Sequence, residues 1–160
     1  MGLQDEVELL KRIPLFSGME DSKLKLLAFT SERLTFADGE TLCEEGEIGT
    51  RAFIIVSGEA DVVVATPDGP QRVARVTSND FVGEIAILCD TPRTATVRAV
   101  GEVVTLAISK DLFLRLIEEF PHMAVEIMRV LASRLERTTK ALAQANIQAA
   151  AGPAPTAADA

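Results

Sequence analysis

The residues best equipped for chemistry lie in the stretch 81–97, which reads FVGEIAILCDTPRTATV. Gly83 precedes Glu84, an apolar run from Ile85 to Leu88 follows, and Arg93 stands nine residues after the carboxylate. Glycine has no Cβ, so its backbone can come close to a ligand. An ionised glutamate only accepts hydrogen bonds, which suits it to the hydroxyls of a sugar. The arginine fork matches phosphate oxygens and stays charged at any physiological pH. Ile85 and Ala86 are expected to open a short helical turn whose N–H groups face an anion. Thr94 sets a hydroxyl beside the arginine. These residue types describe a small pocket for an anion attached to a sugar. The plainer reading of the same residues is an ion pair between Glu84 and Arg93 that closes a surface loop.

Composition bounds what else the chain can be. Its 160 residues suffice for one ordinary domain with a proper core. A net charge of −8 and the lack of a Lys/Arg cluster argue against a nucleic-acid surface. Apolar runs are too short for a membrane span. The start, MGLQDEVELL, lacks the layout of a secretory signal, and Glu6 stands where a myristoylation motif has Ser or Thr. A cytoplasmic location is the expectation. Cys43, Cys89 and the single His122 cannot make a zinc site of usual spacing. The two thiols are expected to be reduced and in or near the core, with no metal and no cofactor.

The stretch needs elements to position it. Residues 3–12 read as an amphipathic helix carrying Leu3, Val7 and Leu10, stopped by Pro14. Asp21 is expected to cap a second helix that turns Leu24, Leu27 and Ala28 inward, completing a helical lead-in over 3–28. From Ser31 the period changes to two. Strands are expected around 34–36, over 52–56, 59–65 and 71–76, and over 94–100 and 103–108. Turns are expected at Ser57-Gly58, at 67–70 and near Gly101. Seven or eight short strands over 31–108 imply a jelly-roll or Greek-key barrel. Metal-dependent jelly-roll enzymes use two or three histidines, and one histidine does not meet that count. No catalytic residue is assigned.

Ser109 is expected to cap a helix with Leu112, Phe113, Leu116, Ile117 and Phe120 along one stripe. Pro121 suits the first turn of a longer helix. Ala124, Met128, Leu131, Leu135, Thr138, Leu142 and Ala145 alternate in steps of four and three, a heptad seam over 121–145. One reading is a single core-facing helix; the sharper one is a homodimer through this helix. The remaining 146–160 is Ala- and Pro-rich with one charge, and is expected to be a disordered tail.

Val82-Gly83-Glu84-Ile85-Ala86-Ile87, a five-residue spacer and Arg93-Thr94-Ala95-Thr96-Val97 together resemble the phosphate-binding cassette of the cyclic-nucleotide-binding domain family. Gly39, Leu42, Gly46 and Gly58 extend the likeness, while Ala52 and Asn79 depart from it. The resemblance implies an α+β fold, an eight-stranded antiparallel jelly-roll barrel with N-terminal helices and a C-terminal helical pair, over 1–145. It implies that Gly83, Glu84, Ile85, Ala86, Arg93, Thr94 and Ala95 hold phosphate and ribose. Val62 and Val73 would line the wall. Arg134-Leu135-Glu136-Arg137-Thr138-Thr139 resembles the dimerisation helix of catabolite activators, which implies that Thr138 and Thr139 meet the base. The implied function is a sensor of cAMP, or alternatively cGMP, that relays pocket closure through its C-terminal helices. A structural module with a vestigial pocket and the sensor half of a larger regulator remain the other readings.

Overall fold

The computed structural model describes residues 2–151 of the chain. They fall into two compact units, one ending at Met123 and one starting at Ala124.

The first unit opens with α1 (Leu3–Lys11), a 3-10 turn at Pro14–Phe16 and α2 (Asp21–Thr30). Val7 and Leu10 of α1 are buried, while Leu3, read as part of the same face, is exposed. Asp21 is the first helical residue of α2 and not its cap; the extended residue before the helix is Glu20, which makes no side-chain cap bond. Asp21 instead takes an ion pair from Lys11 at 3.0 Å, which ties α2 back to α1.

The sheet contains β1 (Glu32–Phe36), β2 (Thr41–Cys43), β3 (Arg51–Thr66), β4 (Gly69–Val76), β5 (Phe81–Val82) and β6 (Thr96–Ser109). All pairings are antiparallel, in the order β1-β6-β3-β4, with β2 added to β6 and β5 to β3. Hydrogen bonding thus gives six strands where the sequence suggests eight. The segments 52–56 and 59–65 belong to one strand, β3, and 96–100 and 103–108 to another, β6. The reason lies at Gly58. Its φ is +94°, and a Cβ there would land on the Glu102 carbonyl oxygen, so the two strands pass too closely for any side chain. Register shifts on either side of Ser57 let the β3–β6 ladder bend there without breaking. What looks like a turn between strands is a bend inside them.

The core lies between the faces of this bent sheet, around Phe53, Ile55, Val97 and Val103. Leu34 and Phe36 pack against it from β1. Phe36 meets Phe53 edge to face, with ring centroids 6.1 Å apart. Thr105 is fully buried, and its hydroxyl donates to the Leu34 carbonyl at 3.1 Å, so no polar atom is stranded there.

Between β5 and β6 lies α3 (Glu84–Leu88), and after β6 comes α4 (Lys110–Glu119). Ser109 caps α4 as expected, its hydroxyl oxygen accepting from the Leu112 N–H at 3.2 Å. Phe113 and Leu116 are the buried residues of α4.

The second unit is formed by α5 (Pro121–Ala151), whose first turn belongs to the first unit. The helix passes residue 145, so 146–151 is helical where the sequence suggests a tail; the rest of that expected tail lies outside the described residues. Met128, Leu135 and Leu142, spaced by seven, are all exposed. No helix of the described residues is long and apolar enough to cross a membrane.

Candidate functional site

β5 pairs with β3 through Phe53↔Val82 and Ile54↔Phe81, which anchors the entry to the cassette on the central strand. The chain then turns at Gly83, with φ at +87° and ψ near 1°, a left-handed conformation that a Cβ disfavours. This turn starts α3 and brings Glu84 inward, where it is only 2% exposed. Ala86 and Ile87 are buried with it, while Ile85 faces outward. A helix of five residues has little macrodipole, so α3 is a weak attractor for an anion by itself. The strong cation is Arg93.

Arg93 is also buried, at 8% exposure. One guanidinium nitrogen, Nη1, donates to the Gly83 carbonyl at 3.0 Å, and Nη2 donates to the Arg51 carbonyl at 2.7 Å. Its main chain is held as well: the Arg93 N–H donates to the Glu47 carbonyl at 2.7 Å, and the Arg93 carbonyl accepts from the Gly46 N–H at 2.9 Å. Burying a cation costs several kcal/mol unless its donors are satisfied, on the order estimated for ions in protein interiors. Main-chain carbonyls satisfy two of its five donors without neutralising the charge. The guanidinium charge thus persists where it is held. It reaches Cys43 too: burial pushes that thiol up, and the nearby Arg93 charge opposes the shift.

Midway through the cassette the chain turns at Asp90, which tolerates a positive φ of 53° because its short polar side chain suits that region. The Lys110 ammonium donates to its carboxylate at 2.8 Å, and that bond holds the carboxyl below its usual range. Lys110 is the first residue of α4, and its own N–H donates to the Thr50 carbonyl at 2.9 Å. The start of α4 is thus bonded both to the cassette and to the loop before β3.

That loop, residues 44–50, did not stand out in the sequence as part of the site. It runs along the cassette from Thr96, whose hydroxyl oxygen accepts from the Glu45 N–H at 3.0 Å, to Pro92, which bridges Ile48. Gly49 is buried within it. The pair Gly46 and Gly49 is the one visible signal, and it reads equally well as a turn.

The other expected residues distribute as follows. Thr94 is exposed and Ala95 half-buried, between Arg93 and the start of β6. Val62 is half-buried, packs against the core and pairs with Val97 at the cassette end of β6. Val73 is 61% exposed. The register passes from Val62↔Ala74 to Val63↔Arg72, leaving Val73 as the unpaired residue of a β-bulge. Thr138 and Thr139 are exposed residues of the second unit. The Thr138 hydroxyl donates to the Arg134 carbonyl one turn back, at 2.9 Å.

A sequence model of the cyclic nucleotide-binding domain matches residues 33–120. The chain is 33% identical over 137 residues to a CRP-like cAMP-activated global transcriptional regulator of Mycobacterium tuberculosis, covering 85% of this chain and 61% of that protein. It is 32% identical over 109 residues to a cAMP-dependent protein kinase regulatory subunit of Blastocladiella emersonii, covering 68% and 27%. The chain therefore spans less than two thirds of either relative. Its fold resembles the crystal structure of the Thermus thermophilus catabolite activator protein, with a TM-score of 0.72 at 24% identity over 83% of this chain and 63% of that one.

Proposed function

The chain belongs to the cyclic nucleotide-binding domain family, and from that premise we propose that its cassette senses cAMP. In this reading residues 1–145 form the sensing module, and it binds its ligand without catalysis. The observation that carries it is the posture of Arg93: a buried guanidinium anchored on two carbonyls, in a cassette that also buries the carboxylate residue Glu84.

The cyclic phosphodiester takes charge-assisted hydrogen bonds from Arg93, each worth roughly 1.5–3 kcal/mol. Gly83, Ile85 and Ala86 provide the close backbone, Glu84 accepts from the ribose 2′-hydroxyl, and Thr94 and Ala95 flank the phosphate. Val62 and Val73 form the apolar wall. Thr138 and Thr139 serve the base, and the heptad seam of α5 joins two copies of the chain. The cAMP relatives favour adenine. Thr94 beside the arginine is the feature that would suit guanine instead.

The relay begins at Lys110, since movement of Asp90 or Thr50 on binding pulls directly on the start of α4. The ligand shifts the population only by its preference for one arrangement over the other. The module would act in the cytoplasm and reach its output through a protein rather than through nucleic acid or a membrane.

Calorimetric titration with cAMP, cGMP and cCMP tests the assignment. cAMP should bind tightest, and Arg93→Ala should weaken it by at least about tenfold. Binding of none of the three, or an unchanged affinity in Arg93→Ala, overturns it.

A further inference from the structure

We infer that Gly49 is a positioning residue for Arg93, and that its lack of a side chain is what creates the slot in which the guanidinium is held. The inference rests on the cyclic-nucleotide reading for its consequence in binding, but its geometry is independent of any ligand.

The loop 44–50 and the first residue of β3 grip Arg93 at three points. Gly46 and Glu47 hold its carbonyl and its N–H, and the Arg51 carbonyl holds Nη2. Between these contacts the loop must pass across the arginine side chain itself, and the residue that does so is Gly49. An added Cβ would stand 2.8 Å from Arg93 Cζ, 2.9 Å from Nε and 2.8 Å from the Ala86 Cβ. No real side chain is accommodated at such distances without a shift. Gly46 offers the contrast, since nothing lies within 4 Å of a Cβ placed there; its glycine answers a left-handed φ of +88°. At Gly49 the backbone φ is ordinary, and close approach alone demands the glycine.

The two contacts yield differently. The Ala86 Cβ is fixed to a buried helical turn and has no rotamer to escape into. The guanidinium is the far end of a flexible side chain. A methyl group at position 49 therefore displaces Arg93 first, off the Arg51 and Gly83 carbonyls and away from the posture that presents its charge. Glycine at 49 and the carbonyls of 51 and 83 together select one arrangement of Arg93 before a ligand arrives, which lowers the ordering cost of binding.

A double-mutant cycle on the full chain tests this, with cAMP as titrant and calorimetry as readout. Gly49→Ala in the wild-type background should weaken binding by about tenfold, approaching the loss expected of Arg93→Ala. In the Arg93→Ala background the same substitution should cost clearly less than in the wild type, because the side chain it displaces is gone and only the Ala86 contact remains. An equal loss in both backgrounds makes Gly49 a general loop residue and overturns the inference while leaving the cAMP reading intact. If the wild type binds no cyclic nucleotide, the functional reading falls.

NMR of the ligand-free wild type keeps the structural claim testable even if Gly49→Ala fails to fold. The Arg93 guanidinium N–H protons should be slowed in exchange relative to those of exposed arginines. Fast exchange, equal to that of the exposed arginines, overturns the slot.

Discussion

The Arg93 guanidinium donates to the main-chain carbonyl of Arg51, 42 residues earlier, at 2.7 Å. Two arginines thus meet, but only one brings its charge. The Arg51 side chain leaves the site, pairing with Glu32 at 3.2 Å and lying 5.5 Å from the centroid of the Phe53 ring. Arg51 contributes an acceptor, and Arg93 keeps the field. The same joint links the central strand β3 to the cassette, so the site and the core share a support.

Gly83→Ala should damage both stability and binding. The left-handed φ of +87° strains any Cβ, and this one would stand 2.5 Å from Arg93 Nη1 and 3.1 Å from the Arg51 carbonyl oxygen. Backbone strain of this kind costs on the order of 1–3 kcal/mol. Urea unfolding should show a lower midpoint, and cAMP affinity should fall. A variant matching wild type in both measurements contradicts this account of the turn.

Glu84 should discriminate ribose from deoxyribose. Wild type is expected to bind 2′-deoxy-cAMP at least about tenfold more weakly than cAMP, the scale of a lost hydrogen bond to a charged group. Glu84→Gln should shrink that gap by weakening cAMP alone. Equal affinities for the two nucleotides in the wild type would assign Glu84 another role.

The two cysteines should separate by reactivity. Cys89 is exposed and Cys43 buried, with its thiol pushed up chiefly by burial. At pH 8 an alkylating reagent should modify one thiol quickly and the second only on unfolding. The sign for stability follows from the raised value. Below the ordinary thiol range both states hold the proton; above about pH 9 the unfolded chain releases it while the native thiol keeps it, so stability falls as pH rises. Cys43→Ala should reduce that alkaline slope. Rapid modification of Cys43 in the native protein would contradict its burial.

Leu135→Glu should abolish association through α5. Leu135 is 67% exposed in the single chain and lies on the seven-residue seam with Met128 and Leu142. Sedimentation should show a dimer for wild type and a monomer for the variant, with the first unit's melting unaffected. A wild-type monomer at high micromolar concentration would remove the seam from the proposal.

Much of the site was readable because its residues are neighbours in sequence. Gly83, Glu84 and Arg93 carry recognisable chemistry at short spacing, and a helix cap at Ser109 is equally local. The strand count was not readable. Gly58 carries the composition of a turn, but a glycine that lets two strands pass closely looks the same in sequence as one that reverses the chain. Val73 resisted for a related reason. Alternation places it on a face, whereas a bulge, set by how β3 and β4 slip past each other, decides which way it is exposed.

Residue type and local order were enough to point to the family, a candidate cassette, the change from helical to alternating period and a heptad pattern. They act over a few residues, and the sequence records them directly. The posture of Arg93 was decided only by the fold. Every residue carries a carbonyl, so nothing marks those of Arg51 and Gly83 as the acceptors that hold the guanidinium. The space at Gly49 is set by a side chain 44 positions later, which becomes its neighbour only when the loop 44–50 closes over the cassette.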